Sequence, residues 1–204
     1  MGLLTGLVVG WLTNFPEKLD GHLLYPGRRG ITQDKCHFLL EAIEKYEEVH
    51  QNLPEGLGYP NAYGDIIVPT DYSNHLAEAL LGVYSKHNPR GIPFFDAYRP
   101  NSPDRGGVQR YSPSFFGITD LWGRPFHVAI DANKDGVVTI PHYEVPRSGD
   151  QEARTIKQPI VVWSDGPDRI SGDDRNGKSD DIFSSDPPSE LFLRYRSEQS
   201  GRPE

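Results

Sequence analysis

The chain has 204 residues, of which 36% are hydrophobic, 21 are Gly and 18 are Pro; this allows one good core with many turns and excludes a long helical bundle. A net charge of −8 excludes nucleic acid as the expected partner, because phosphate binding needs clustered Lys and Arg, and 11% aromatics exclude disorder throughout. The single cysteine, Cys36, excludes an internal disulfide and leaves a reducing compartment or another stabiliser, such as a metal.

Residues Gly2 to Leu12, "GLLTGLVVGWL", are apolar but short. A membrane-spanning helix needs about 20 such residues, and a secretory signal needs a basic start that is missing here. Gly2 to Leu12 is therefore expected to be a packed or frayed start, or the tail of a membrane segment that begins further upstream, and residues 1–30 form an N-terminal segment with no assigned role.

The clearest helix runs from Ile31 toward "NLPEG". Thr32 is expected as its N-cap and Asp34 in its first turn, with Ile31 and Cys36 as a hydrophobic staple. Cys36, Leu39, Leu40, Ile43 and Tyr46 recur at helical spacing and predict one buried stripe; Pro54 and Gly56 predict its end. Cys36 reads as a core thiol. A second short helix is expected within Ser73 to Ser85, capped by Ser73 or Asn74. From Asn88 to Ile118 the prolines and glycines predict a long ordered loop that packs its aromatics, among them Phe94, Phe95, Tyr98, Tyr111, Phe115 and Phe116, over a sheet.

Strands are predicted at Arg124 to Asp131, Gly136 to Pro141 and Gln158 to Ser164. The first two are joined by "ANKD", a hairpin signal, and the third is apolar enough to be central. The tail from Ser189 is expected to form at most one helical turn around Leu191, Phe192 and Leu193, and then to lose order. Together these elements predict an α+β fold, an N-terminal α-helix packed on a small antiparallel β-sheet with long Pro/Gly-rich loops. Residues 31–188 form its globular domain, and 189–204 its tail.

Two loops concentrate acid. In "DANKDG", Asp131, Asn133, Asp135 and Gly136 match the first half of an EF-hand loop, with oxygen ligands at alternate positions and a glycine at the sharp turn. Position twelve is His142 instead of a glutamate, and Glu144 lies two places too far on. Asp-Gly and Asn are also ordinary turn chemistry, and a plain turn is the expected reading. The second loop, after Ser164, carries Asp165, Asp168, Asp173, Asp174, Asp180 and Asp181. Its glycines let carbonyl oxygens turn inward, and hard oxygen donors suit Ca²⁺ better than zinc. Composition alone weighs a bound ion and a solvated acidic loop equally.

"TDLWGRPFHV" followed by a strand and "VVWSDGPDRISGDDRNGKSDDI" resembles the soluble domain of the major pseudopilin of bacterial type II secretion systems, and prepilin-type proteins more broadly. The residues that carry the likeness are Asp120, Trp122, Gly123 and Pro125 in one turn, then Ser164, Gly166, Asp168, Asp180, Asp181 and Ile182. The likeness spans about Gly30 to Ser185, with an unmatched insertion around Asn88 to Ser114 and no prepilin pattern in the first 30 residues. It implies a pilin-like fold and a structural calcium ion in the C-terminal loop. The implied ligands are the side chains of Asp168, Asp180 and Asp181, with backbone carbonyls near Ile170 and Ser171. It also implies a non-enzymatic subunit of an extracytoplasmic filament, in the periplasm or at the cell surface. Its partners would be other pseudopilin subunits or copies of itself, and the inner membrane only where the native protein has a prepilin helix.

The alternative is a calcium-dependent extracellular module that binds carbohydrate or protein through the aromatics of Tyr98 to Phe116 and the acidic loops. An enzyme using His127, His142, Asp131 and Glu144 is disfavoured, since no nucleophile motif is present.

Overall fold

A computed structural model describes residues 27–83, 86–95, 107–112, 115–141, 153–167, 181–187, 193 and 197. The elements in chain order are α1 (Arg28–His50), β1 (Asp65–Pro69), α2 (Leu76–Leu80), β2 (Gly107–Ser112), β3 (Phe115–Thr119), β4 (His127–Asp131), β5 (Val138–Ile140), β6 (Arg154–Ile156), β7 (Ile160–Ser164) and β8 (Ile182–Phe183).

β1, β4, β7 and β8 make a four-stranded antiparallel sheet in that spatial order, while β2–β3 and β5–β6 are separate two-stranded ribbons. Side chains alternate across a strand, and the sheet uses both faces. Val68, Val128, Ile130, Ile160, Val162 and Ile182 meet α1 through Cys36, Leu39, Ala42, Ile43 and Tyr46. On the opposite face Ala129, Val161, Trp163 and Phe183 meet Val138 and Ile140, with Ile67 and Ile156 packed beside them. Burial on both sides is why "IVVWS" reads as an unbroken apolar run: all five residues of β7 are buried. The fold is thus mixed α+β, with a helix, a sheet and a small ribbon stacked in three layers.

The helix differs from its expected start. Gly27 occupies the N-cap with no side-chain hydrogen bond, and no acid lies in the first turn. Thr32 and Asp34 are buried within the helix body instead of capping it. Packing against the sheet and the 181–187 segment holds those extra turns, overriding the cap signal. Its end comes at His50, where Gln51 turns left-handed at φ 62°, before Pro54 is reached. The predicted stripe is present, with Leu40 only half-buried.

α2 is shorter than predicted. Asn74 Oδ1 accepts from Leu76 N at 2.9 Å, and Leu76, Ala77, Ala79 and Leu80 are buried. The chain then leaves helical geometry at Gly82, whose φ is +72° and where a Cβ would lie 2.8 Å from Pro93 N, too close to fit. The insertion expected to be a long loop holds the β2–β3 ribbon, in which Gly107 to Ser112 pair with Phe115 to Thr119. Thr70 ties this ribbon to the sheet. Its N–H donates to Phe126 O at 2.7 Å, its carbonyl accepts from Ile118 N at 2.7 Å, and its hydroxyl donates to Ile118 O at 2.6 Å and accepts from Phe126 N at 2.9 Å. The predicted β4–β5 hairpin also differs. The chain turns there, but β4 pairs with β1 and β7 and β5 pairs with β6. β1, β6 and β8 carry no strong turn-flanked signal of their own, and neighbouring strands define them.

Candidate functional site

The Asp-x-Trp-Gly-x-Pro turn is built around one buried carboxylate. Asp120 Oδ1 accepts from Trp122 N at 2.8 Å and Arg124 N at 2.9 Å, while Asp120 N donates to Arg124 O at 2.8 Å. Gly123 supplies the positive φ of 77° that the turn needs. Asp120 Oδ2 accepts the Ser164 hydroxyl at 2.6 Å, and Ser164 Oγ in turn accepts from Gly166 N at 3.2 Å. The two sequence motifs, 44 residues apart, are therefore joined by one hydrogen bond. Burial pushes the Asp120 carboxyl above its ordinary value, and the three donors oppose that shift. Lys35 lies on the helix side of this group; burial lowers its amine to about 8, against the opposing attraction of Asp120.

The acidic loop hangs between β7 and β8, with both ends fastened. At the β7 end, Asp165 Oδ2 lies 3.1 Å from His127 Nε2, and the His127 ring stacks on Trp163 at 5.0 Å. At the β8 end, the segment 181–187 runs along the first half of α1. Arg29 donates to Asp181 O at 3.2 Å, Cys36 Sγ to Ile182 O at 3.5 Å, and Gln33 Nε2 to Pro187 O, while the His37 ring lies 3.0 Å from Asp186 O. The β7–β8 register pairs Ser164 with Ile182, and one further step sets Asp165 opposite Asp181. Two carboxylates thus stand at the neck of the loop, with His127 beside that of Asp165.

Of the implied calcium ligands, Asp181 is described, and its side chain is 6% exposed. Asp168, Ile170, Ser171 and Asp180 lie outside the described residues. A buried carboxylate at the loop's mouth fits the hard-oxygen chemistry of Ca²⁺. Among the described residues no three His, Cys, Asp or Glu side chains already converge as a ligand set.

The hairpin loop after β4 is ordered by its own acids. Asp131 Oδ1 accepts from Lys134 N at 2.6 Å and Asp135 N at 3.2 Å, and Oδ2 from Gly136 N at 2.6 Å. This is the turn chemistry expected for the motif. Sequence reasoning missed Asp65: it is 1% exposed, opens β1 and pairs directly with Asp131. A lone Asp before "IIVP" gives no signal of that partnership, since the cross-strand register is a tertiary fact.

The aromatics of the insertion do not form the groove that a binding module would need among the described side chains. Phe95 and Phe116 are buried, and Phe94 packs against the core. Tyr98 lies outside the described residues, as do the side chains of Tyr111 and Phe115. Among the described residues the large aromatics that face solvent are Tyr59, Tyr63 and Tyr72. Of the enzymatic candidates, His127 is committed to Asp165 and Asp131 to its turn, while His142 and Glu144 lie outside the described residues. No helix among the described residues is long and apolar enough to cross a membrane.

No protein-family model, curated protein or solved structure matches this chain.

Proposed function

We propose that this chain is a pseudopilin-like structural subunit of a type II secretion or pilus-type filament. On this reading it has a pilin-like head, and a calcium ion in the loop between β7 and β8 stiffens it. The observation that carries the reading is the Asp120–Ser164 hydrogen bond at 2.6 Å. It joins the two motifs on which the likeness rests and fixes the β7 end of the acidic loop against the sheet. The other end is fixed on α1 through Asp181 and Ile182. An ion held by Asp168, Asp180 and Asp181, with carbonyls of Ile170 and Ser171, would close the loop over those two anchors and do no chemistry. The subunit would act outside the cytoplasm and associate with copies of itself or with related subunits. The rival reading, a calcium-dependent binding module, is weakened by the burial of Phe95 and Phe116.

Ligand binding to the folded state alone raises stability by mass action, by about 2.7 kcal/mol at 100 times Kd. Chelation with EDTA is expected to lower the melting temperature of the chain, and added Ca²⁺ to restore it. In calorimetric titration, Asp168→Ala and Asp181→Ala should lose that ion. A melting curve unchanged between verified metal-free protein and millimolar Ca²⁺ would refute the calcium clamp.

A further inference from the structure

The geometry points to a second site, for a divalent cation of the calcium type, at the opposite end of the sheet from the Asp181 anchor, where Asp65 opens β1 and Asp131 closes β4. It is separate from the loop between β7 and β8 and does not depend on that loop's ion.

The hairpin alone would be only a well-made turn. Asp131, Asn133 and Asp135 place side-chain oxygens at alternate positions before Gly136, whose φ is +82°. What the loop lacks in sequence is the acid at position twelve. β1 brings one from elsewhere. Asp65 lies directly across the ladder from Asp131, so both side chains project on one face of the sheet, the face covered by β5. Asp65 Oδ2 accepts from Thr139 N at 2.7 Å, which places the carboxylate between the two arms of the turn. Its Oδ1 is fully enclosed and has no hydrogen-bond partner among the described residues.

An ionised carboxylate has about four acceptor positions. Asp131 receives three backbone N–H groups. Asp135 receives Val137 N at 2.9 Å and Asn133 Nδ2 at 3.1 Å, and Asp65 receives Thr139 N alone. Among the described residues the three acids thus accept six hydrogen bonds of about twelve possible, and water reaches the exposed Asp135. Among the described residues no Lys, Arg or His forms an ion pair with any of them. Leaving one oxygen of a buried carboxylate with neither donor nor counter-charge is costly, and a cation beside Asp65 Oδ1 would relieve it. Burial pushes the Asp65 carboxyl above its ordinary value; the Thr139 N–H opposes that, and the charges of Asp131 and Asp135 add to it.

Asn133 holds the loop against the start of β1: its Nδ2 donates to Tyr63 O at 3.1 Å and packs over Gly64, whose φ of +92° suits glycine. The donors are all oxygen and include no Cys or His, so hard cations are favoured over zinc. The three acids do not already meet at one point, so binding includes a rotation of the exposed Asp135 side chain toward the Asp65–Asp131 pair.

The test is calorimetric titration of the metal-free full chain with Ca²⁺, run beside D65N, D135N and D168A. D65N preserves the size and the acceptor for Thr139 N. D65N and D135N are each expected to lose one bound Ca²⁺ relative to wild type, or to bind it at least about tenfold more weakly, a loss of about 1.4 kcal/mol. D168A should retain that ion. Thermal melts give a second readout: D65N should gain less from Ca²⁺ than wild type does. Wild-type stoichiometry and affinity in both D65N and D135N would overturn the site. So would a wild type that binds no ion which D65N and D135N lose. Should D65N fail to fold, D135N decides alone, because Asp135 is exposed.

Discussion

A hydroxyl buried away from water must donate to something, and Ser164 donates to a carboxylate that is itself fully buried. Removing the hydroxyl by Ser164→Ala leaves Asp120 Oδ2 without that donor and Gly166 N without its acceptor. Stranding a buried polar group costs about 1–3 kcal/mol, so chemical denaturation should show a loss of that size. The loss should depend on pH. Burial already holds the Asp120 carboxyl above its ordinary value of 3.8, and loss of the Ser164 donor raises it further. A folded-state value above the unfolded one means that the native state binds the extra proton. Stability then falls as pH rises through that window. The penalty for Ser164→Ala is therefore expected to be larger at pH 7 than near pH 4, and a penalty that is flat over that range would remove Asp120 as its cause. Composition made these residues legible as a turn. That Ser164 would be the partner of Asp120 was not legible: the resemblance named both residues without pairing them, and nothing local to "VVWS" points to a residue 44 positions away.

Among the elements, β8 is the shortest and the most dependent on others. Two residues, Ile182 and Phe183, close the sheet, and Phe183 lies under the Arg154 guanidinium at 3.6 Å and beside Trp163 at 6.0 Å. A strand this short has no stability of its own. Its place is set by side chains on both faces, Ile182 toward α1 and Phe183 toward the β5–β6 ribbon. Phe183→Ala should cost about 3–5 kcal/mol, measurable as a lower denaturation midpoint. A change under about 1 kcal/mol would mean that β8 is held by its backbone alone. Long periodic elements were legible in advance: the α1 stripe and the apolar run of β7 follow directly from spacing. β1, β6 and β8 were not. They are three to five residues long or shorter, and pairing partners, not local pattern, make them strands. The β4–β5 turn was read correctly as a turn and wrongly as a ladder, since turn chemistry fixes the corner and not the partner beyond it.

At the scale of the whole molecule, the one thiol is buried in the interface between α1 and the 181–187 segment, where Cys36 donates to Ile182 O. Burial and the nearby carboxylates of Asp120 and Asp186 push it well above its ordinary value, so it stays a thiol and unreactive while that interface is shut. The chain therefore carries its own gauge of closure. A thiol-specific reagent can reach Cys36 only when the interface opens, locally or with the whole fold, and its labelling rate counts those openings without any added probe. If cations clamp the acidic loop, millimolar Ca²⁺ should slow that labelling and a chelator should speed it. Equal rates with and without the ion would mean that the latch on α1 holds by protein contacts alone.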